Sequence, residues 1–147
     1  MRAPAADACD YAPAPGHRLV DLPEYADARG SIAVIEHGRE IAFLIRRAYL
    51  LHTEGGADRG AHAHRNLEQL IVSLRGSVDI LVDTGRGRCV HRLDRSSFGL
   101  YLGPMVWREM TRFSADSLCL VLASECYDAA DYIRDYDRFM RERRGQS

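Results

Sequence analysis

The 147-residue sequence predicts an all-β domain, an antiparallel sandwich or barrel closed by one C-terminal helix. Three observations predict it. Short apolar segments recur from Leu19 onward, Gly or Asp punctuates several of them, and near the C-terminus the apolar period changes from strand-like to helical.

The elements follow in order. Residues 1–16, with Pro4, Pro13 and Pro15 among alanines, read as a flexible tail, and residues 17–147 as one domain. Strand-like segments run from Ser31 to Ile35, Ile41 to Leu51, Leu67 to Leu74, Val78 to Val82, Arg88 to Leu93, Gly99 to Leu102 and Leu118 to Ala123. The turn signals Arg75-Gly76-Ser77 and Asp83-Thr84-Gly85 suit hairpins between them. Tyr132, Ile133, Tyr136, Phe139 and Met140 then recur at helical spacing, with Asp128 as an N-cap and Asp131 adding first-turn negative charge. The basic end, Arg138 to Arg144, suits a helix C-terminus better than a nucleic-acid patch.

Composition removes several function classes. With 46% hydrophobic residues the chain can bury a core without disulfides or structural metal, and a net charge of -1 gives no bulk reason to bind nucleic acid or anionic membrane. No run is long enough to span a bilayer and no segment resembles a signal peptide, so a cytoplasmic location is expected. Cys9, Cys89, Cys119 and Cys126 form no C-x-x-C pair and read as reduced, packing cysteines. All 20 basic residues are Arg. Lysine Schiff-base and P-loop chemistry are therefore excluded, and anion binding falls to guanidinium groups.

Chemistry concentrates in Arg59-Gly60-Ala61-His62-Ala63-His64. Residues two apart in a strand project to the same side, so His62 and His64 can share a cavity, either around a metal or in a proton relay. Gly56, His62, His64, Glu68 and Gly76 resemble the first cupin metal motif, which implies a single cupin-type jelly roll. The counterpart of the second motif, Gly103-Pro104-Met105-Val106-Trp107-Arg108-Glu109, has no His, and Arg108 there opposes a cation. A metal-free cavity is expected, with no cofactor. The alternative is a metal-dependent cupin using His62, His64 and Glu68 as a three-ligand site, with Glu109 available as a fourth ligand.

At family level, Arg59 to His64, Leu67-Glu68-Gln69, Gly99 to Pro104, Trp107, Glu109-Met110, Val121 to Ser124, Tyr127-Asp128 and Asp131 to Tyr136 together resemble the nucleotide-sugar 3,4-ketoisomerases. The resemblance covers about Ser31 to Phe139. It implies a metal-independent isomerase that moves the ketone of dTDP-4-keto-6-deoxy-D-glucose from C4 to C3, within deoxy-aminosugar biosynthesis. It further implies that His64 is the base at carbon and that His62 shuttles protons between the C3 and C4 oxygens. A homodimer with exchanged strands is also implied.

Around this pair the expected substrate-binding residues are Arg59 for the pyrophosphate, Arg47 in preference to Arg46, and Tyr49 on the same strand face as Arg47, with simple packing an equal alternative for Tyr49. Glu68 is expected on an imidazole or a sugar hydroxyl, with a rim residue as the alternative. Tyr101 and Trp107 are expected on thymine or sugar, with core packing as the alternative for Trp107. Arg108 points toward a product of gluco rather than galacto configuration. A sugar-nucleotide-binding cupin without catalysis stays open as a further alternative, whereas a 3,5-epimerase would need a second proton-transfer station.

Overall fold

Alternating apolar residues build two facing antiparallel sheets. The structure is a computed structural model that describes residues 8–9, 16–54 and 56–146. Its strands are β1 (Ala8–Cys9), β2 (His17–Asp21), β3 (Glu24–Asp27), β4 (Gly30–Ala33), β5 (Arg47–His52), β6 (Arg59–His64), β7 (Gln69–Arg75), β8 (Val78–Asp83), β9 (Arg88–Leu93), β10 (Phe98–Leu102), β11 (Trp107–Thr111), β12 (Leu118–Ala123) and β13 (Tyr132–Ile133). A 3-10 turn (Ala129–Asp131) precedes β13, and helix α1 (Tyr136–Gly145) ends the chain. One sheet runs β1-β9-β8-β11-β6-β13, the other β2-β10-β7-β12-β5, and β3 with β4 forms a separate hairpin.

The period-2 pattern decides which side chains enter the space between the sheets. Ile71, Leu100, Leu102 and Val121 from one sheet meet Ile80, Val82, Leu93 and Met110 from the other in the main core. Their neighbours Leu70, Val72 and Leu122 lie on the opposite face of the five-stranded sheet, covered by Ile41 and Phe43. The six-stranded sheet is covered in turn by α1, where Phe139 packs with Ala63, Trp107 and Ile133. Burying a Leu, Ile or Phe side chain stabilises by roughly 1.5–3 kcal/mol, so these three layers supply the main drive to fold.

Most expected strands form within a residue or two of their predicted bounds, but several differ. The segment expected as a strand from Ile41 is extended only from Arg47, because Ile41 and Phe43 cap the outer apolar face instead of joining the sheet. The polar strands β2 and β3 and the site strand β11 carried too weak an alternation to be predicted. The helix begins at Tyr136, where the Asp135 side chain accepts a hydrogen bond from the Arg138 N–H at 2.7 Å. Asp128 caps only the 3-10 turn. Tyr132 and Ile133, expected on the helix, pair with β6 and satisfy its outer edge.

The Ala/Pro-rich tail lies mostly outside the described residues. Cys89 is disulfide-bonded, which corrects the expectation of reduced cysteines throughout; β1 sets Cys9 opposite Cys89 in the strand register, a proximity that sequence spacing does not reveal. Cys119 and Cys126 are free. No helix among the described residues is long and apolar enough to cross a membrane.

Candidate active site

The site is assembled on β6. A bulge interrupts its pairing with β11: Arg108 faces His62, but Glu109 faces Gly60, so Ala61 is the extra residue. Gly60 and Ala61 both take positive φ, at 88° and 56°. A Cβ on Gly60 would stand 3.0 Å from the Arg108 carbonyl oxygen, so this close crossing requires glycine. The bulge also changes the side-chain phase. Arg59 pairs with Met110, two residues from Arg108, and register thereby returns it to the face that carries His62.

Beyond the bulge the strand is regular, and His62 and His64 converge. Their Nε2 atoms are 3.1 Å apart and their rings are edge-on. Tyr132, opposite His64 in the register, lies with its ring centroid 4.3 Å from His64 and 5.0 Å from His62. The 3-10 turn before it delivers Asp131, whose Oδ2 is 3.1 Å from His64 Nδ1. Asp131 Oδ1 accepts hydrogen bonds from the Asn66 backbone and side chain at 2.8 and 3.2 Å. A cleft of about 460 Å³ adjoins the pair through Asp131, with Asn66, Tyr127 and Asp128 also in its wall.

Electrostatics set the pair's protonation. Burial, then the Arg108 charge, pushes His62 down to about 4, with a backbone contact to Gly60 pulling the other way. Burial and then Arg108 push His64 lower still, to about 2. Both imidazoles are therefore neutral near pH 7, with a lone pair available to act as base.

Arg108 is 2% exposed, and none of its three guanidinium nitrogens has a hydrogen-bond partner. Burial pushes it down to about 10, still charged at neutral pH. Such a group leaves a substantial desolvation cost unmet, which an anionic or strongly polar ligand oxygen would offset. Arg47 adds a second cation. Its buried Nε has no hydrogen-bond partner, and its guanidinium lies over the Tyr49 and Tyr127 rings at 5.2 and 5.7 Å. Arg46, the neighbouring arginine, is instead paired with Glu125 at 3.2 Å. Tyr49 accepts a hydrogen bond from Gln69 at 3.1 Å, and burial raises its hydroxyl pKa.

Other expected residues stand elsewhere. Arg59 is exposed at the start of β6. Tyr101 donates a 2.6 Å hydrogen bond to Glu68, packs with the outer apolar layer of the five-stranded sheet and lies under Arg18. The Glu68 carboxylate is thus paired with a phenol and not with an imidazole. Trp107 takes the packing alternative: it is buried against Tyr136 and Phe139 and donates to Glu109 at 2.9 Å. Asp131, Tyr132, Tyr127 and Gln69 were missed. The helical spacing of Tyr132 hides the first two in the sequence.

The donor set does not suit the cupin metal reading. Glu68 is committed to Tyr101, and the buried Arg108 charge faces the imidazoles where a cation would sit. Among the described residues, the metal-type donors that do gather are His17, Cys89 and His91, and the Cys89 sulfur is already in a disulfide.

Similarity to known proteins identifies the family. The family described as "FdtA: WxcM-like, C-terminal" matches residues 15–144. A TDP-4-oxo-6-deoxy-alpha-D-glucose-3,4-oxoisomerase from Aneurinibacillus thermoaerophilus is 43% identical over 126 residues, covering 85% of this chain and 91% of the relative. The TDP-quinovose 3,4-ketoisomerase WlaRB from Campylobacter jejuni superposes with a TM-score of 0.84 at 43% identity, covering 87% of this chain and 99% of that one. A mutant of the 3,4-ketoisomerase QdtA from Thermoanaerobacterium thermosaccharolyticum, in complex with TDP-4-keto-6-deoxyglucose, gives 0.86 at 36% identity, covering 90% and 97%. A 4-keto-6-deoxy sugar epimerase, NovW, shares the fold at 19% identity. With a neutral imidazole pair, a buried arginine and relatives of this kind, the chain belongs to the FdtA family of sugar-nucleotide 3,4-ketoisomerases.

Proposed function

We propose that this chain converts dTDP-4-keto-6-deoxy-D-glucose into dTDP-3-keto-6-deoxy-D-glucose through an enediolate, by imidazole-mediated proton transfer. The observation that carries the reading is the neutral His62–His64 contact at 3.1 Å beside the unpartnered Arg108 guanidinium. His64 removes the C3 proton, which the adjacent ketone acidifies. His62 donates to the C4 oxygen and takes the proton of the C3 hydroxyl, and His64 returns a proton to C4. Neutral bases that can both take and give a proton suit a reversible 1,2-shift with no net redox change.

Arg108 is assigned to the oxygens that become anionic in the enediolate, where a preformed charge in a buried site stabilises most. It is also assigned to the side of the ring from which C4 is protonated, favouring the gluco product. Arg47 and Tyr49 bind the sugar nucleotide within the cavity, and Arg59 reaches the pyrophosphate from the rim. Glu68, Tyr101 and Trp107 support these groups from the surrounding layers. The domain responsible spans residues 17–147.

The enzyme acts as a homodimer with exchanged strands in the cytoplasm, and an aminotransferase uses its 3-keto product in deoxy-aminosugar formation. The β3–β4 hairpin supports the exchange: it stands outside both sheets, and Tyr25 and Ile32 on it are 68% and 67% exposed. The edge strand β5 adds Leu50, also exposed.

The deciding experiment is NMR of the reaction with dTDP-4-keto-6-deoxyglucose in deuterated water, after treatment with chelator. The expected product is a gluco-configured 3-ketone, with deuterium at C4. Activity lost with chelator and restored by a divalent metal would overturn the metal-free mechanism. Tight binding with neither product nor label would identify a non-catalytic binder. Light scattering tests the dimer.

A further inference from the structure

The geometry points to Asp131 as a positioning residue that fixes which nitrogen of each imidazole carries the hydrogen, an inference that rests on the isomerase reading for its kinetic consequence. An ionised carboxylate only accepts hydrogen bonds, so the 3.1 Å contact to Asp131 Oδ2 requires the hydrogen on His64 Nδ1. A neutral imidazole has one N–H. His64 Nε2 therefore carries the lone pair.

The constraint passes to the second ring. His64 Nε2 lies 3.1 Å from His62 Nε2, and two lone pairs facing each other at that distance in a buried site would repel. His62 therefore places its hydrogen on Nε2 and donates to His64, although its backbone contact to Gly60 competes for the same hydrogen. One carboxylate thus sets the direction of the whole relay: His64 presents a basic nitrogen, and His62 presents a donor. When a substrate oxygen takes over the His62 N–H, the His64 lone pair is released, and the two rings are then in the states needed to give a proton to the C4 oxygen and to take one from carbon.

Asp131 is itself held for this task. Two hydrogen bonds from Asn66 occupy Oδ1, and its backbone carbonyl accepts from the Arg65 N–H at 3.0 Å, which leaves Oδ2 directed at His64. The chain Asn66, Asp131, His64, His62 runs from the segment after β6, through the end of the 3-10 turn, into the site. Asp131 contacts an imidazole, and its effect on the substrate passes through that ring.

Nitrogen-15 NMR of the imidazoles in the wild-type protein tests the tautomers without turnover. The expected spectrum has His64 protonated at Nδ1 with a bare Nε2, and His62 protonated at Nε2; a His64 protonated at Nε2 would overturn the inference whatever the protein catalyses. Asp131→Asn, whose amide can donate to Nδ1, should shift the His64 signals toward the other tautomer and lower kcat about 100-fold. KM and dTDP binding should stay close to those of the wild type. Asp131→Glu should recover part of the rate. Unchanged kcat and unchanged nitrogen shifts in a folded Asp131→Asn protein would overturn the assignment. If that variant fails to fold, the wild-type spectrum still decides.

Discussion

Two pairs of histidines in this molecule make the same contact. His62 and His64 meet at 3.1 Å through Nε2 atoms; His17 and His91 meet at 3.1 Å between Nδ1 and Nε2. The difference lies in what surrounds them. His17 and His91 join β2 to β9 across the two sheets, and both are buried, as His64 is. His62 and His64 share one strand and lie beside the buried Arg108 and Tyr132, and His64 contacts Asp131, which lines a cleft. Proximity of imidazoles makes a hydrogen bond. The His62–His64 contact has a buried cation and a carboxylate beside it, the setting that the proposed relay requires.

The largest effect should come from cutting the relay at carbon. His64→Asn should lower kcat by about 10²–10⁴ with little change in folding, as measured by steady-state turnover and circular dichroism. Retention of most of the activity would erase the distinction between the two pairs.

Replacing Arg108 should separate activity from stability. Arg108→Met should lower kcat about 100-fold through loss of charge stabilisation. It should raise unfolding stability by about 1–4 kcal/mol, because a buried charge without hydrogen-bond partners is exchanged for apolar contact. Because Arg108 is the second cause of the low His62 pKa, that pKa should move up from about 4 toward 6.5. Denaturant titration and proton NMR read the two effects.

Protonation provides the next test. The folded pKa of His62 lies below the ordinary 6.5, and His64 is displaced the same way, so between these values the unfolded chain binds protons that the folded chain excludes. Stability should be fully present above about pH 6.5 and fall by about 1.4 kcal/mol per pH unit for each histidine as pH drops toward 4. A His62→Asn, His64→Asn double variant should lose this slope. Melting curves from pH 7.5 to 4.5 measure it.

The smallest effect on activity belongs to the other pair. His91→Gln should leave kcat within twofold while lowering stability by about 1–3 kcal/mol, the cost of disturbing a buried hydrogen bond. A large loss of turnover in a folded His91→Gln protein would mean that the two pairs are coupled through the sandwich.

Legibility in the sequence followed the range of the interactions. Strands β7, β8, β9, β10 and β12 could be read because their alternation reports local burial, and the His62/His64 phase because two residues in a strand share a face. Trp107 was ambiguous for a physical reason: an aromatic beside a site strand serves equally well against a helix or a ligand. Its actual partners, Tyr136 and Phe139, come from α1. Glu68 fitted a ligand spacing, yet Tyr101, 33 residues later, claims its carboxylate.

By itself the sequence determined the sheet-rich architecture, the terminal helix, the restriction to arginine as cation and the placing of two imidazoles on one strand face. Each of these depends on residue type and near-neighbour spacing. Only the tertiary structure decided that Ala61 bulges and that Arg108 is buried without a partner. It also brought Asp131 and Tyr132 back, from nearly seventy positions downstream, onto the edge beside His64. These outcomes depend on pairing between distant strands, and the chemistry of the site resides in them.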